Sequence, residues 1–390
     1  MIQTKKHEVP LRWAALKIEL KIYRLARRRK ALRKRLPPEI LIGAVNYCGQ
    51  ATTWSQALRA SGIEARSLRI AAAEDPGWYS TDLKVEREQW RMPSSRVSLA
   101  KKVVVGFDGV VLESLHPIFA LRAARDFSAH QGQEDLKLLS RCGVKVALIF
   151  HGSDIRDPQA HAHREEFSPY RNPSDPQILR RLKVSADNAR AIALKLGKEG
   201  YPLLVTTPDL LLDLPSATWI PIAIDFDTFA NAGKANPAFL GSGPLRVLYQ
   251  PSRSWLKSHE LIEPVLHNLE HEGVITLVPH EPIEHSKMAE RIASADVVID
   301  RFDGIPGVLA VEALACGRAV LANVAPWAHV RAEAIAPVHH TTPATLGAVL
   351  HALAKDRTSL QNAVEQNRQF VRTWHDGRVS AERIKAALYI

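Results

Sequence analysis

A loop with two glycines carries the densest group of chemically useful residues in this 390-residue chain. The loop consists of Asp303, Gly304, Ile305, Pro306 and Gly307. It follows an apolar strand predicted at 297–300 and precedes an apolar helix predicted at 308–316. Amide N–H groups at the start of a helix, together with the helix dipole, attract phosphate. The spacing therefore predicts a phosphate-binding loop.

Glu312 lies about one turn into the predicted helix, between Val311 and Ala313. A carboxylate within an otherwise apolar run is more often a ligand contact than an ordinary solvated side chain. A carboxylate can accept hydrogen bonds from the two hydroxyls of a ribose. Glu312 is therefore a candidate hydrogen-bond acceptor for a ribose diol.

Two cations follow the strand predicted at 245–250, namely Arg253 and Lys257. A leaving diphosphate develops negative charge, and fixed Arg and Lys side chains can stabilise that charge without Mg²⁺. Arg253 and Lys257 are therefore candidate contacts for a diphosphate, with no metal required. Each cation taken alone is equally compatible with an ordinary loop position.

In the first half of the chain, a buried strand predicted at 144–150 leads directly into His151, Gly152, Ser153 and Asp154. Doubly wound sheets bind ligands at the carboxyl ends of their strands. His151 and Asp154 are therefore predicted to be catalytic, with Asp154 contacting the acceptor. The nearby pair His161 and His163 has no third ligand at a usual spacing, so we expect both on the surface and no metal site.

The elements that position these residues alternate between strand and helix along the chain. Strands are predicted at 40–47, 65–71, 103–107, 110–112, 144–150, 203–206 and 219–222, and again at 245–250, 274–279, 297–300 and 319–323. Such alternation predicts parallel sheets covered by helices on both faces. Two consecutive units of this kind place a ligand-binding cleft between two Rossmann-like domains.

Composition shifts along the chain suggest the domain boundaries. We predict a basic helix at 1–36, a first domain at 37–230, a linker at 231–244, a second domain at 245–372 and a C-terminal helix at 373–390 that crosses back to the first domain. Three scattered cysteines fit a reducing compartment and no disulfide framework. Neither a signal peptide nor an apolar run of ~20 residues is present, so we expect a cytoplasmic protein that does not span the bilayer.

The net charge of +11 is confined to residues 1–36, which contain 13 Lys and Arg and two Glu. The rest of the chain is neutral, which argues against nucleic-acid binding by the domains. Apolar residues recur in the leader at spacings of three and four, which predicts an amphipathic helix. Its cations are predicted to bind the inner face of a membrane; they are Arg27, Arg28, Arg29, Lys30, Arg33, Lys34 and Arg35. A dimerising coiled coil and a helix packed on the body are the alternatives.

Taken together, the motifs between residues 40 and 330 resemble those of family 4 retaining glycosyltransferases, which have the GT-B fold. By that resemblance Glu312 holds the ribose of a nucleotide sugar and His151 faces the sugar. The diphosphate would contact Arg253, Lys257, the 304–307 loop and the glycine turn at Gly49. The family has an acid eight positions before its ribose-binding glutamate. Here that position is Gly304, and the neighbouring Asp303 is the expected sugar contact.

The resemblance implies a transferase that uses a nucleotide-diphosphate sugar as donor and has no cofactor. The expected acceptor is a cell-envelope, lipid-linked or polysaccharide glycan, and a homodimer is possible through the leader. Two alternatives remain. A non-catalytic, membrane-associated scaffold derived from a glycosyltransferase is favoured by Gly304 and by Ala223-Ile224, which replace the family's Asn-Gly. A nucleotide-sugar epimerase would need more acid and base groups around the sugar.

Overall fold

The computed structural model describes residues 17–26, 37–121, 127, 131–171, 176–238, 243–250, 259–279 and 281–390. Two parallel sheets organise the described residues, one of seven strands and one of five. The first sheet has the order β3-β2-β1-β4-β5-β6-β7 and the second has the order β12-β11-β10-β8-β9. The predicted pair of Rossmann-like domains is confirmed.

The first sheet consists of β1 (Glu39–Ala44), β2 (Glu64–Ala71), β3 (Leu83–Glu86), β4 (Gly109–Glu113), β5 (Lys145–Phe150), β6 (Leu203–Val205) and β7 (Thr218–Trp219). The helices among and before these strands are α1 (17–26), α2 (Gln50–Ala60), α3 (Arg87–Arg91), α4 (Pro93–Gly106), α5 (Gln133–Arg141), α6 (Pro158–Arg164) and α7 (Pro176–Lys198). In β1, β4 and β5 nearly every residue is buried, as expected for parallel strands covered on both faces.

The second sheet consists of β8 (Leu245–Tyr249), β9 (Ile275–Leu277), β10 (Val297–Ile299), β11 (Ala319–Ala322) and β12 (His339–His340). Its helices are α8 (Phe226–Ala235), α9 (His259–His271), α10 (Met288–Ala293), α11 (Val308–Ala315), α12 (Leu346–Lys355), α13 (Thr358–Asn362) and α14 (Val364–Trp374), and α15 (Arg378–Leu388) closes the chain. In each sheet the strand order reverses beside its first strand, β1 or β8, where doubly wound folds bind ligands.

The segment 222–224 carries the chain from the first domain to the second. Gln50 on α2 donates to the Ala223 carbonyl at 3.0 Å and accepts from the Ala223 amide at 2.9 Å. His375 Nδ1 lies 2.7 Å from the Ile222 carbonyl, and burial lowers the pKa of His375 to about 4. Beyond it, Ile384 and Leu388 of α15 are buried in the same apolar cluster as residues of β1 and β5. The end of the chain therefore packs on the first domain.

Three local predictions are wrong, two of them concerning strands and one concerning the linker. Residues 103–107, expected to form a strand, mostly belong to α4, whose buried Ala100, Val103 and Val104 follow a helical spacing that a short apolar run does not reveal. The strand expected at 219–222 ends at Trp219.

The expected linker at 231–244 begins inside a helix, because residues 231–235 complete α8. Phe229 and Ala230 of this helix join the core of the second domain. Gly233 is required there by a close approach, since a Cβ on it would lie 1.9 Å from the Cys316 carbonyl oxygen. The small residues that suggested a linker are therefore helix-packing residues.

Helix α1 packs on the first domain through Ile22 and Ala26, which belong to its buried core, with Ile18 partly buried beside them. Leu20 and Leu25 are exposed, at 49% and 45%. In the described part of the chain, no helix combines the length and the apolar character needed to cross a bilayer. The seven leader cations between Arg27 and Arg35 lie outside the described residues.

Candidate functional site

A buried glutamate and a histidine meet at the carboxyl edge of the first sheet. Glu113, the last residue of β4, is completely buried, and its Oε2 accepts the amides of Val45 and Asn46 at 2.9 and 2.8 Å. Its Oε1 lies 3.3 Å from His151 Nε2. Burial would raise the pKa of Glu113, but His151 and the two amides hold it below the usual value. Glu113 is therefore an anion that orients His151.

Glu113 is not among the site residues predicted from the sequence. Its position could have been predicted from one feature of the sequence: Glu113 is an acidic residue at the end of an apolar strand, next to the strand that leads to His151. Parallel strands β4 and β5 are neighbours, so the residues at their carboxyl ends must lie close together.

Aromatic rings hold His151 in place. Its ring stacks on Trp54 at 5.8 Å between centroids and meets Tyr47 edge-on at 5.1 Å. With Nε2 facing Glu113, the nitrogen left for a ligand is Nδ1. A histidine whose one nitrogen faces a carboxylate has the arrangement of a general base or of a polar substrate contact.

Asp154 shapes the turn that carries His151. Its carboxylate accepts the amides of His151 and Gly152, at 3.0 and 2.6 Å, and the Ser114 hydroxyl at 2.5 Å. These three hydrogen bonds involve both carboxylate oxygens. The structure thus gives Asp154 a positioning role, and its contact with an acceptor stays a prediction.

The glycine-bearing loop of the second domain is closed on itself by Asp300. The Gly307 amide, at the N-terminus of α11, donates to Asp300 Oδ2 at 2.5 Å, so this amide is engaged within the protein. Gly304 has φ +96°, a left-handed conformation that favours glycine. Its carbonyl accepts the Ala325 amide at 3.1 Å. Ile305 is buried on the turn.

Glu312 is buried and is paired with a histidine that the sequence analysis did not single out. His285 Nε2 lies 2.6 Å from Glu312 Oε1. Burial would lower the pKa of His285, but hydrogen bonding and charge from Glu312 raise it above the usual value. The expected ribose ligand is therefore held by an imidazole.

An aromatic side chain connects this pair to the first domain. The Tyr79 ring lies 4.7 Å from the His285 ring, and the His285 amide donates to the Trp78 carbonyl at 3.2 Å. Tyr79 also covers the glycine turn after β1, since a Cβ on Gly49 would lie 2.7 Å from Tyr79 Cδ1. Gly49 has φ +72° and so needs glycine for its conformation as well. The Tyr79–His285 contact thus connects Gly49 with Glu312.

Asp303 is buried and forms a two-point ion pair with Arg301. Its backbone carbonyl lies 3.1 Å from Nε2 of His161, whose Nδ1 lies 2.8 Å from the Ser168 hydroxyl. His161 was expected on the surface and is instead buried between the domains, because α6 lies against the second domain's loop. Burial, with a smaller effect from Arg156, lowers the pKa of His161 to about 4. His163 is exposed.

Arg253 and Lys257 lie outside the described residues. Among the residues that are described, no group of three or more His, Cys, Asp or Glu side chains could hold a metal ion. The structure brings Gly49, His151 and Asp154 to the edge of the first sheet, and Asp303, Gly304, Gly307 and Glu312 to the edge of the second.

The comparisons with known proteins bear on the fold. No protein-family model matches the sequence, and the search of curated proteins gives no match. Solved structures do match over most of the chain. Sucrose-phosphate synthase from Thermosynechococcus elongatus superposes with a TM-score of 0.56 at 14% identity, covering 90% of this chain and 98% of that chain. The chain has the GT-B fold.

Two further structures agree with this assignment. Anabaena Alr3699/HepE in complex with UDP and glucose has a TM-score of 0.55 at 11% identity, covering 90% of this chain and 100% of that chain. A glycosyltransferase from Rickettsia africae ESF-5 has a TM-score of 0.52 at 13% identity, covering 90% and 99%. At these identities the likeness establishes the GT-B architecture alone.

Replacing Glu312 with glutamine is expected to lower the pKa of His285, because the raised value depends on the carboxylate. A pH titration of the histidine ring signals by NMR measures this change. The matched control is Glu263→Gln, which removes an exposed carboxylate beside His259 and His267. A His285 pKa that is unchanged in Glu312→Gln would contradict the pairing.

Proposed function

We propose that this protein is a glycosyltransferase that moves a sugar from a nucleotide-diphosphate donor to an acceptor hydroxyl. The observation that carries the proposal is the convergence of Gly49, His151 and Glu312 on the carboxyl edges of two facing GT-B sheets. HepE, which shares the fold over its whole length, is described in complexes with UDP and with UDP-glucose. A nucleotide sugar is therefore the ligand class that we assign to the cleft.

The proposed roles follow from the chemistry of each side chain. Glu312 would exchange His285 for the ribose hydroxyls of the donor. Arg253, Lys257 and the amides of Gly304 and Ile305 would hold the diphosphate, with the Gly49 turn approaching it from the first domain. Pro306 has no amide N–H, and the Gly307 amide already donates to Asp300. Fixed cations and amides can stabilise a leaving diphosphate electrostatically, so the proposed reaction is metal-independent.

His151, oriented by Glu113, would contact the transferred sugar through Nδ1. We further propose that transfer proceeds with retention, in line with the resemblance of the motifs to family 4 enzymes. The acceptor class that we propose is a cell-envelope, lipid-linked or polysaccharide glycan.

A non-catalytic scaffold is the second candidate, and specific contacts favour it. Glu312 is paired with His285, the Gly307 amide is paired with Asp300, and Tyr79 covers Gly49. A donor would have to displace at least the first of these contacts. Release of nucleoside diphosphate from a bound donor separates the two candidates, because a scaffold binds the donor without turnover.

Replacing Glu312 with alanine is expected to weaken nucleotide binding about tenfold or more, since hydrogen bonds to a charged group are worth about 1.5–3 kcal/mol. A thermal-shift screen of UDP, GDP, ADP and dTDP identifies the ligand, because a ligand that binds the native state raises Tm. Calorimetry with that nucleotide then compares the variants.

The matched control is Glu290→Ala, which removes an exposed carboxylate on α10. The control should bind as the unaltered protein does. A screen in which none of the four nucleotides raises Tm would refute the donor site. Equal affinity of Glu312→Ala and the unaltered protein would refute the role of Glu312.

We propose that the leader binds an anionic membrane surface through its seven cations. Because Ile22 and Ala26 are buried against the first domain, this contact has to use charge together with exposed residues such as Leu20 and Leu25. A test by deletion of the whole leader would remove core residues, so charge replacement is the cleaner design.

Replacing the seven cations from Arg27 to Arg35 with glutamine should reduce binding to phosphatidylglycerol vesicles by at least about 100-fold, at about 1 kcal/mol per cation. Co-sedimentation measures this change, with phosphatidylcholine vesicles as the uncharged comparison. Glutamine at Lys101 and Lys102, which are exposed on α4, is the control. Undiminished sedimentation of the seven-fold variant would exclude the leader as the membrane contact.

A further inference from the structure

A carboxylate from the first domain lies against the glycine turn of the second domain. Glu165 follows α6 directly and is 5% exposed. Its Oε2 lies 3.2 Å from the position that a Cβ on Gly304 would take. The Trp327 indole N–H donates to the same oxygen at 3.2 Å, and the Phe167 amide donates to Oε1 at 3.2 Å.

These two neutral donors leave Glu165 with unused hydrogen-bonding capacity. A carboxylate offers about four acceptor positions, of which the two donors occupy two. Across the part of the chain that the structure describes, none of the ion pairs involves Glu165. Burying a carboxylate without a cation is costly.

The position of Glu165 is fixed by the way α6 docks on the turn. Asp157 caps the helix by accepting the amides of Gln159 and Ala160, and Pro158 begins it. One turn later, His161 Nε2 meets the Asp303 carbonyl, the residue before Gly304. His161 is neutral at physiological pH because its pKa is about 4, so its two nitrogens can donate to Asp303 and accept from Ser168. The carboxylate that follows is held against the turn.

Glu165 lies beside the loop at which the donor is proposed to bind, so it could contact the donor. This inference rests on the proposed function. If the loop at 304–307 holds the diphosphate, the sugar bonded to it lies near this loop, and Gly304 is the residue of the loop that Glu165 of the first domain approaches. Gly304 itself has no side chain to offer a sugar hydroxyl. Glu165 reaches the same point from the first domain, beside the indole of Trp327.

We propose that Glu165 is a specificity-determining residue that accepts hydrogen bonds from hydroxyl groups of the donor sugar. Recognition of the donor is then divided between the domains. The second domain binds the nucleotide through Glu312, and the first domain binds the sugar through Glu165. The sugar subsite exists only while α6 is docked on the Asp303–Gly304 turn.

The test compares nucleotides with their sugar conjugates in one pair of variants. Glu165→Gln keeps the shape of the side chain and removes its charge, and Glu166→Gln, at an exposed neighbour, is the control. Calorimetry uses UDP, GDP, ADP and dTDP, and then UDP-glucose, GDP-mannose, ADP-glucose and dTDP-glucose. In Glu165→Gln the affinity for the free nucleotide should stay within about twofold, while that for its sugar conjugate falls about tenfold, or about 1.4 kcal/mol.

The outcomes are separable. Equal loss for nucleotide and conjugate would show that Glu165 only supports the fold, and no loss for either would show that the sugar does not contact it; both overturn the proposal. If the unaltered protein binds none of the eight compounds, the proposed function itself fails and this inference fails with it. Should Glu165→Gln not fold, Glu165→Asp withdraws the carboxylate by one methylene and must show the same selective loss.

Discussion

Two parallel sheets, buried on both faces, confine the polar chemistry of this protein to their carboxyl edges. Side chains along β1, β4, β5 and β10 alternate into two apolar layers, so a charged group within them would be buried without water. At the strand ends, backbone amides without a sheet partner become available. Glu113, Asp154 and Asp300 each accept such amides. These carboxylates therefore define both the loops and the site.

Two buried ion pairs lie near the edges where the domains contact each other. Arg156 pairs with Asp209 at 2.7 Å within the first domain, and Arg301 pairs with Asp303 within the second. Burial opposes the charge of Arg156, but Asp209, Tyr170 and Asp303 raise its pKa above the usual value. Removing one partner of such a buried pair is strongly destabilising, because an uncompensated charge remains. The charge of Asp303 thus helps to compensate Arg156 across the two domains.

The sequence could predict features that depend on residues close together in the chain, but not features that depend on tertiary contacts. The strands predicted at 40–47 and 144–150, and the loop and helix around Glu312, could be placed from continuous apolar runs and the glycines that follow or precede them. The run at 103–107 could not, because five apolar residues satisfy a helix and a strand equally well. The small residues at 231–235 suggested a linker, although they are small because α8 packs closely on Cys316.

The partners of the site residues could not be predicted from the sequence, because each partner comes from a distant segment of the chain. Glu113 reaches His151 through the pairing of β4 and β5, and His285 reaches Glu312 through the packing of α10 and α11. The burial of His161 and Glu165 between the domains could not be predicted, because the docking of α6 on the second domain leaves no periodic pattern in the sequence. The sequence motifs located the site at the edges of the two sheets. The pairs of residues that contact each other there could be identified only from the fold.

The proposed function requires that the cleft bind a nucleotide diphosphate between Glu312 and the first domain. A crystal structure of the protein with the nucleotide that most raises its Tm tests this claim most directly. We expect the ribose hydroxyls to donate hydrogen bonds to Glu312 and the diphosphate to lie along the 304–307 loop. We also expect that His285 no longer contacts the Glu312 carboxylate. A nucleotide bound elsewhere, with the His285–Glu312 pair intact, would contradict this claim.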